Sequence, residues 1–317
     1  MRVLGFRRRG TLDIAPYFNL SFMDYMHSSH LNTLFIPSYQ CKANPDYMLM
    51  HCAPSCKTCH MIDFQFRCPL PENIPEIDAW KPGDLNKMFE RILATYPDVN
   101  IHSRPSAVEA EDGPWVLTLD NFLSENECER LIELGHGLGY ERSADVGKMN
   151  FDGTFAASVN DGRTSTNAWC TDECHTDPTT KVVLEKIENL TGVPDRCSEN
   201  LQLLRYEPGQ YYHTHHDYIP HDLERPQGVR ILTVFLYLNE PEAGGGTNFP
   251  TLGSSGITVI PRKGSVLLWP SVMNDDPNAN DDRTHHQALT VEKGLKYGAN
   301  AWVHQRDFKT PNDNQCT

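Results

Sequence analysis

Apolar positions along this chain follow two different periods. Over residues 84–97, DLNKMFERILATYP sets Leu85, Met88, Phe89 and Ile92 on one face, which predicts a short amphipathic helix. From Trp115, WVLTLDNFL reads as a strand and a turn. Ser124 and Glu127 then have capping-box spacing ahead of ERLIELGHGLG, a helical run that ends in glycine. A second helix is expected after Asp177, its N-cap, with Pro178 as first helical residue. Val183, Leu184, Ile187 and Leu190 form its apolar stripe, and it stops near Gly192. Beyond that point the period changes. LQLLRY, RILTVFLYL, GITVIP, SVLLW, HQALTV and YGANAWV are short and rich in β-branched and aromatic residues, with Gly, Pro, Asn and Asp turns between them. Helices followed by many strands, without βαβ alternation, predict an α+β, mainly β chain: a jelly-roll or barrel with helices packed outside.

Composition narrows the partners. The formal net charge of −14 gives an acidic surface that repels phosphate backbones, so nucleic acid is not an expected partner. No run of 18 apolar residues is present, so no transmembrane helix is expected. Ten cysteines, several closely spaced, point to an oxidising compartment, and sequons at Asn19 and Asn189 add little to that. The N-terminal MRVLGFRRRGTLDIAPYF is basic but lacks the apolar core of a signal peptide. Either a start lies upstream or the cysteines serve another purpose.

The candidate chemistry sits in YYHTHHDY, residues 211–218. A His-x-Asp pair on a strand or strand edge turns both side chains to one face, as two ligands of one metal require. With 14 histidines in the chain such a pair also arises by chance, and a hydrogen-bonded surface loop is the bland reading. Three further residues change the balance. His286, 71 residues after His215, opens another predicted strand; His215, Asp217 and His286 would make a facial triad that leaves positions open on Fe(II). Lys296 follows ten residues later. If the chain crosses at Gly294, Lys296 returns into the same cavity, where a lysine needs an anionic partner such as a dicarboxylate. Tyr206, nine residues before His215, can donate to the same distal carboxylate.

On these residues the chain resembles the prolyl 4-hydroxylases, Fe(II)- and 2-oxoglutarate-dependent dioxygenases. The resemblance runs through NFLSENECERLI, RTSTNAW, LQLLRYEPGQYYHTHHDY, RILTVFLYLNEPEAGGGTNFP, PRKGSVLLW and HHQALTVEKGLKYGANAWVH, within residues 113–310. It implies a double-stranded β-helix core. It implies iron ligands His215, Asp217 and His286, with His285 only a neighbour. Tyr206, Thr247 and Lys296 would bind 2-oxoglutarate, and Tyr212, Arg230 and Trp302 would line a peptide groove. The activity implied is hydroxylation of peptidyl proline at C4 with O2, releasing succinate and CO2, with ascorbate as a further cofactor. Tyr297 departs from a common family tryptophan and is expected to pack in the core; His213, His216 and His221 are expected to be loop residues without a role. Residues 139–165, rich in Gly, Asp and Asn, suit a lid over the substrate.

Five cysteines lie from Cys41 to Cys68, and the first four are spaced C-x10-C-x3-C-x2-C. A zinc site using Cys52, Cys56 and Cys59 with Cys41 or His60 competes with a disulfide framework. The segment resembles the second half of a ShK-toxin-like domain, which implies a Cys41–Cys56 bond. Cys52 and Cys59 then pair with each other, or one of them uses Cys68. WCTDEC offers a local Cys170–Cys174 bridge, leaving Cys128, Cys197 and Cys316 unassigned. The expected organisation is an arm (1–35), a partial ShK-like module (36–68), a linker with a short helix (69–112), the oxygenase domain (113–310) and a tail (311–317). An enzyme of the secretory pathway, in the endoplasmic reticulum lumen, is the leading expectation. A same-fold oxygenase acting on another residue or small molecule, or a non-enzymatic binding protein, are the alternatives.

Overall fold

The computed structural model describes residues 40–43, 56–108, 112–150 and 152–317. The chain divides into two units, residues 1–58 and 59–317. In the first, the helical turn Gln40–Ala43 carries Cys41, which is disulfide-bonded to Cys56 as the ShK-like connectivity implies. Cys52 and the arm 1–35 lie outside the described residues.

In the second unit the strands, among the described residues, are β1 (Val99–Ser103), β2 (Val116–Leu119), β3 (Glu141–Arg142), β4 (Asp145–Met149), β5 (Phe155–Ser158), β6 (Thr166–Trp169), β7 (Gln202–Tyr206) and β8 (Tyr212–His215). They continue as β9 (Arg230–Tyr237), β10 (Ala243–Gly244), β11 (Thr247–Phe249), β12 (Ile257–Val259), β13 (Val266–Pro270), β14 (His286–Ala288), β15 (Val291–Lys293) and β16 (Lys296–His304). A large sheet has the order β1-β2-β13-β9-β16-β7-β6-β3, and a smaller one β12-β11-β14-β8. All their pairings are antiparallel. β4 and β5 form a separate hairpin.

The continuous apolar run of β9 is explained by burial on both of its faces. Ile231, Val234 and Leu236 join one core with Leu85, Phe89 and Ile92 of helix α1 (Asp84–Thr95), Leu131 of α2 (Glu125–Leu138), and Val183 and Ile187 of α3 (Pro178–Thr191). Phe235 and Tyr237 face a second core with Phe249 of β11, Val259 of β12 and Trp269 of β13. The large sheet therefore has a helical layer on one side and the small sheet on the other, which is the jelly-roll expected. Side chains such as Phe89 and Ile92, fully buried, each contribute about 1.5–3 kcal/mol. The helix ends are those read from sequence. Ser124 and Glu127 form a reciprocal capping box, and Asp177 caps α3 with Pro178 at its first position.

Three expectations need correction. The stretch 69–112 is not only a linker: α1 packs into the main core and β1 pairs with β2, extending the large sheet. HQALTV is not one strand but two, because the chain leaves β14 after Ala288 and pairs again as β15 with β10. The tail 311–317 is fastened, since Cys316 is bonded to Cys68. Cys59 is thereby left as a free, exposed thiol, while Cys170–Cys174 forms as the local spacing suggested. Tyr297 does pack in the core, its hydroxyl 3.1 Å from a ring nitrogen of His136.

Candidate active site

β8 and β14 run antiparallel with His286 directly opposite His215, and the two rings lie 4.3 Å apart. The chain then leaves β8 and bends, so Asp217 arrives from just beyond the strand end rather than from within it. His215 Nε2 is 3.9 Å from Asp217 Oδ1, and His286 Nε2 is 3.6 Å from Asp217 Oδ2. One nitrogen or oxygen from each of the three residues falls within 4.8 Å of the others. Backbone carbonyls fix the tautomers: His215 Nδ1 donates to His213 (2.8 Å) and His286 Nδ1 to Thr284 (3.0 Å). Both Nε2 lone pairs are thereby turned toward the carboxylate. Thr233 donates to Asp217 Oδ2 at 2.6 Å.

The electrostatics suit a cation. Burial works against the Asp217 charge, but His286, His215 and Arg230 outweigh it and hold the carboxyl below its ordinary range. Burial, aided by His286, pushes His215 well below the usual imidazole value, so it stays neutral. A neutral imidazole and an ionised carboxylate are protonation states that ligate a divalent metal. The other histidines differ. His216 Nε2 donates to the Asp281 carbonyl (2.9 Å) and its Nδ1 accepts from the Tyr218 N–H (2.9 Å), so it braces the bend. His213 is in β8, stacked on Tyr211, and His221 lies in a helical turn against Phe155; neither is a plain loop residue.

Lys296 is the first residue of β16, opposite Tyr206 of β7, and Gly294 (φ 80°) reverses the chain ahead of it. It is 1% exposed, and its Nζ has no hydrogen-bond partner among the described residues. Three rings lie around it, Tyr206, Phe235 and Tyr237, with centroids 5.1, 5.4 and 5.8 Å away. Burial lowers its pKa to about 7. Thr247 accepts from the Tyr237 hydroxyl at 2.7 Å. Tyr206, Thr247 and Lys296 line one narrow cavity together with His215, Asp217 and His286. A buried ammonium without an acceptor is costly, so this end of the cavity is built for an anion.

Outside the triad a wider cavity, ≈660 Å³, is lined by Tyr212, Arg230 and Trp302 and by the β4–β5 hairpin within the expected lid. The Tyr212 ring stacks on His215 at 3.6 Å, and its hydroxyl donates to Asp145 Oδ1 of β4 at 2.7 Å. The Arg230 guanidinium lies 3.8 Å over Trp302, and its Nε donates to Glu199 Oε1 at 2.6 Å. Glu199 is buried, which alone would raise its pKa, but Arg230 and His304 bring it down to about 2. Sequence reasoning missed Glu199, Asp145 and Arg163. Arg163 opens the RTSTNAW segment, which was a signal. It is 6% exposed, lies 4.7 Å over Tyr212 and donates to Gln202 Oε1 at 2.8 Å. Glu199 and Asp145 carried no signal, because their partners are 31 and 67 residues away.

Residues 201–304 match the family model of the 2OG-Fe(II) oxygenase superfamily. Prolyl 4-hydroxylase 1 of Arabidopsis thaliana is 31% identical over 205 residues, which cover 61% of this chain and 70% of that protein. Prolyl 4-hydroxylase 2 of the same organism is 31% identical over 235 residues, covering 67% and 76%. Among solved structures, a viral collagen prolyl hydroxylase from Paramecium Bursaria Chlorella virus-1, in a 2OG complex, is 27% identical with a TM-score of 0.47, covering 61% of this chain and 97% of that one.

Proposed function

The chain belongs to the prolyl 4-hydroxylase family of 2OG-Fe(II) oxygenases, and on that premise we propose that it hydroxylates peptidyl proline at C4, using O2 and 2-oxoglutarate and releasing succinate and CO2. The observation that carries the reading is one cavity with two unlike ends: two imidazoles and a carboxylate at one, and the unpaired Lys296 ammonium at the other. The donor set fits Fe(II), which prefers two histidines and one carboxylate with positions left open. When bound, the iron supplies O2 activation coupled to decarboxylation of 2-oxoglutarate.

The chain's own residues bind and orient. Lys296, with Tyr206 and Thr247 beside it, meets the distal carboxylate of the co-substrate. Thr233 and the His213 and Thr284 carbonyls hold the ligands in register. Tyr212 and Trp302 offer flat faces to a pyrrolidine ring, and Arg230, held by Glu199, keeps its remaining N–H groups for a peptide carbonyl. A polyproline II segment suits this groove because it is pre-ordered and loses little entropy on binding. The β4–β5 hairpin walls the cavity and limits water access.

Three disulfides among the described residues support a secretory setting, with the endoplasmic reticulum lumen as its site. Ascorbate is the reductant that would keep the iron ferrous. Residues 36–68 are read as a partial ShK-like module, supported by the Cys41–Cys56 bond. The test is mass spectrometry of proline-containing peptides after incubation with enzyme, Fe(II), ascorbate and 2-oxoglutarate, alongside succinate release. A 16-Da gain on proline that disappears in His215→Ala is expected. Succinate release with no peptide modified anywhere in the panel would overturn the proline assignment.

A further inference from the structure

Beside the catalytic cavity lies a second one of ≈410 Å³, and the two share Val146, Phe155, Trp169, Ile219 and Arg230 as a common wall. Its lining includes two buried acceptors, Asp222 and Gln227. Asp222 is 4% exposed and makes no ion pair with any described residue; its side chain accepts only from Gln227 Nε2, at a long 3.3 Å. Gln227 is 1% exposed, and its Oε1 is buried with no partner among the described residues. Cations are near, but among the described residues none makes an ion pair with Asp222. Arg230 Nε is held by Glu199, and Arg225 donates to the carbonyls of Cys316 and Gly153. Both ring nitrogens of His304 face oxygens, of Gly228 and Glu199. Burial raises the Asp222 pKa, as befits a carboxyl that lacks a compensating charge in contact.

One unpaired acceptor, Gln227 Oε1, beside a carboxylate held only by a long hydrogen bond suits a donor-rich cationic head on a long aliphatic stem. Phe155, Ile219 and Phe308 supply the apolar walls. We propose that this second cavity is a specificity subsite for a lysine or arginine of the substrate peptide, a few residues from the target proline, whose cationic head is received by Asp222 and Gln227. The inference rests on the peptidyl-proline reading above and names the class of peptide it prefers.

The test is a peptide series with one target proline and lysine placed in turn at each flanking position, against norleucine and glutamine at the same position. Binding to the iron-loaded, 2-oxoglutarate-bound protein and kcat/KM are both measured. At one register lysine should exceed norleucine and glutamine by at least about tenfold, as for a charge-assisted hydrogen bond that replaces an unpaired one. In Asp222→Asn that ratio should fall to about 1. No preferred register, an equal response to glutamine, or a lysine preference that survives in Asp222→Asn overturns the subsite. The wild-type scan needs no variant, so a misfolded Asp222→Asn does not shield the proposal. Hydroxylation without lysine dependence sinks the subsite and leaves the proline reading standing. Lysine-dependent binding without hydroxylation does the reverse.

Discussion

The inner and outer walls of the catalytic cavity are built in different ways. The inner wall is strand register: His286 opposite His215, Lys296 opposite Tyr206, Thr247 opposite Ala288, each pair fixed by a ladder. The outer wall is a two-stranded hairpin held at its turn by two arginines. Arg67 donates to the Asp152 carbonyl at 2.7 Å, and Arg225 donates to that of Gly153 while lying over Phe155 at 4.5 Å. Both arginines stand on a platform closed by the Cys68–Cys316 bond, since Arg225 also donates to the Cys316 carbonyl and Arg67 ends the helical turn Phe64–Arg67 immediately before Cys68. Shifting the inner wall means breaking a sheet, whereas shifting the outer wall means breaking a few side-chain contacts. On the proposed function, chemistry falls on the rigid wall and the substrate groove on the adjustable one.

The sharpest break of this contrast is at the inner wall. His286→Ala should remove metal binding and activity by more than about 100-fold, beyond the 10–100-fold typical of outer-shell partners of a metal site. Isothermal titration with Mn(II) and succinate release would both report it. Lys296→Met should separate function from stability. With the ammonium gone, 2-oxoglutarate affinity should fall at least about 100-fold, the scale of breaking a buried ion pair. The co-substrate-free protein should become more stable by about 1–3 kcal/mol, because an unpaired buried charge has been removed. Denaturant unfolding checks the second effect.

The same lysine sets a pH dependence. Its pKa is about 7 in the fold against about 10.4 in the unfolded chain. Between those values the unfolded chain holds a proton that the folded one has released, so this group makes the co-substrate-free protein more stable as pH rises from about 7 to about 10. Binding runs the other way. Above about pH 7 the dicarboxylate must draw a proton onto Lys296, so affinity should fall by up to about tenfold per pH unit. Titrations at several pH values, with buffers of different ionisation enthalpy, would reveal the proton uptake, and its absence in Lys296→Met is expected.

The outer wall predicts a smaller effect of a different kind. Arg225→Ala frees the hairpin turn and should raise KM for peptide about tenfold while leaving 2-oxoglutarate affinity within about twofold. Hydrogen exchange over residues 145–158 should rise in the same variant. If 2-oxoglutarate affinity falls in step with peptide affinity, the two walls are one mechanical unit and the contrast fails.

What was legible in the sequence follows the same division. The inner wall was readable because its residues start or flank short apolar strands, so motif and register coincide: Tyr206 ends β7, His286 and Lys296 open β14 and β16. The helices were readable from their caps. β1 was not: VNIH alternates, but the run is only five residues long, holds two apolar residues and lies partly exposed at the sheet edge, too short a pattern to stand out. The outer wall was read as a lid from composition alone. Its anchors, Arg67 and Arg225, are single polar residues whose partners lie 85 and 72 residues away, and no local pattern encodes such a meeting. Read from sequence, Cys68 had only Cys52 or Cys59 as alternative partners for the same reason; its partner is 248 residues on.

The smallest predicted effect lies where the walls touch. Tyr212 is on β8, an inner strand, yet its hydroxyl donates to Asp145 on the hairpin at 2.7 Å. Its ring stays on His215 whether or not that bond exists, since stacking at 3.6 Å does not involve the oxygen. Tyr212→Phe therefore removes one link between the walls and nothing else, leaving the Asp145 carboxylate with Arg163 at 3.6 Å and Asn160 at 2.7 Å. One hydrogen bond to a charged group is worth about 1.5–3 kcal/mol, but Asp145 is partly exposed and water replaces part of it. Peptide KM should rise about two- to fivefold with kcat and 2-oxoglutarate affinity unchanged. A fall in kcat instead would mean that the phenol orders His215 itself, and the inner wall would then extend one side chain further out than its ladder.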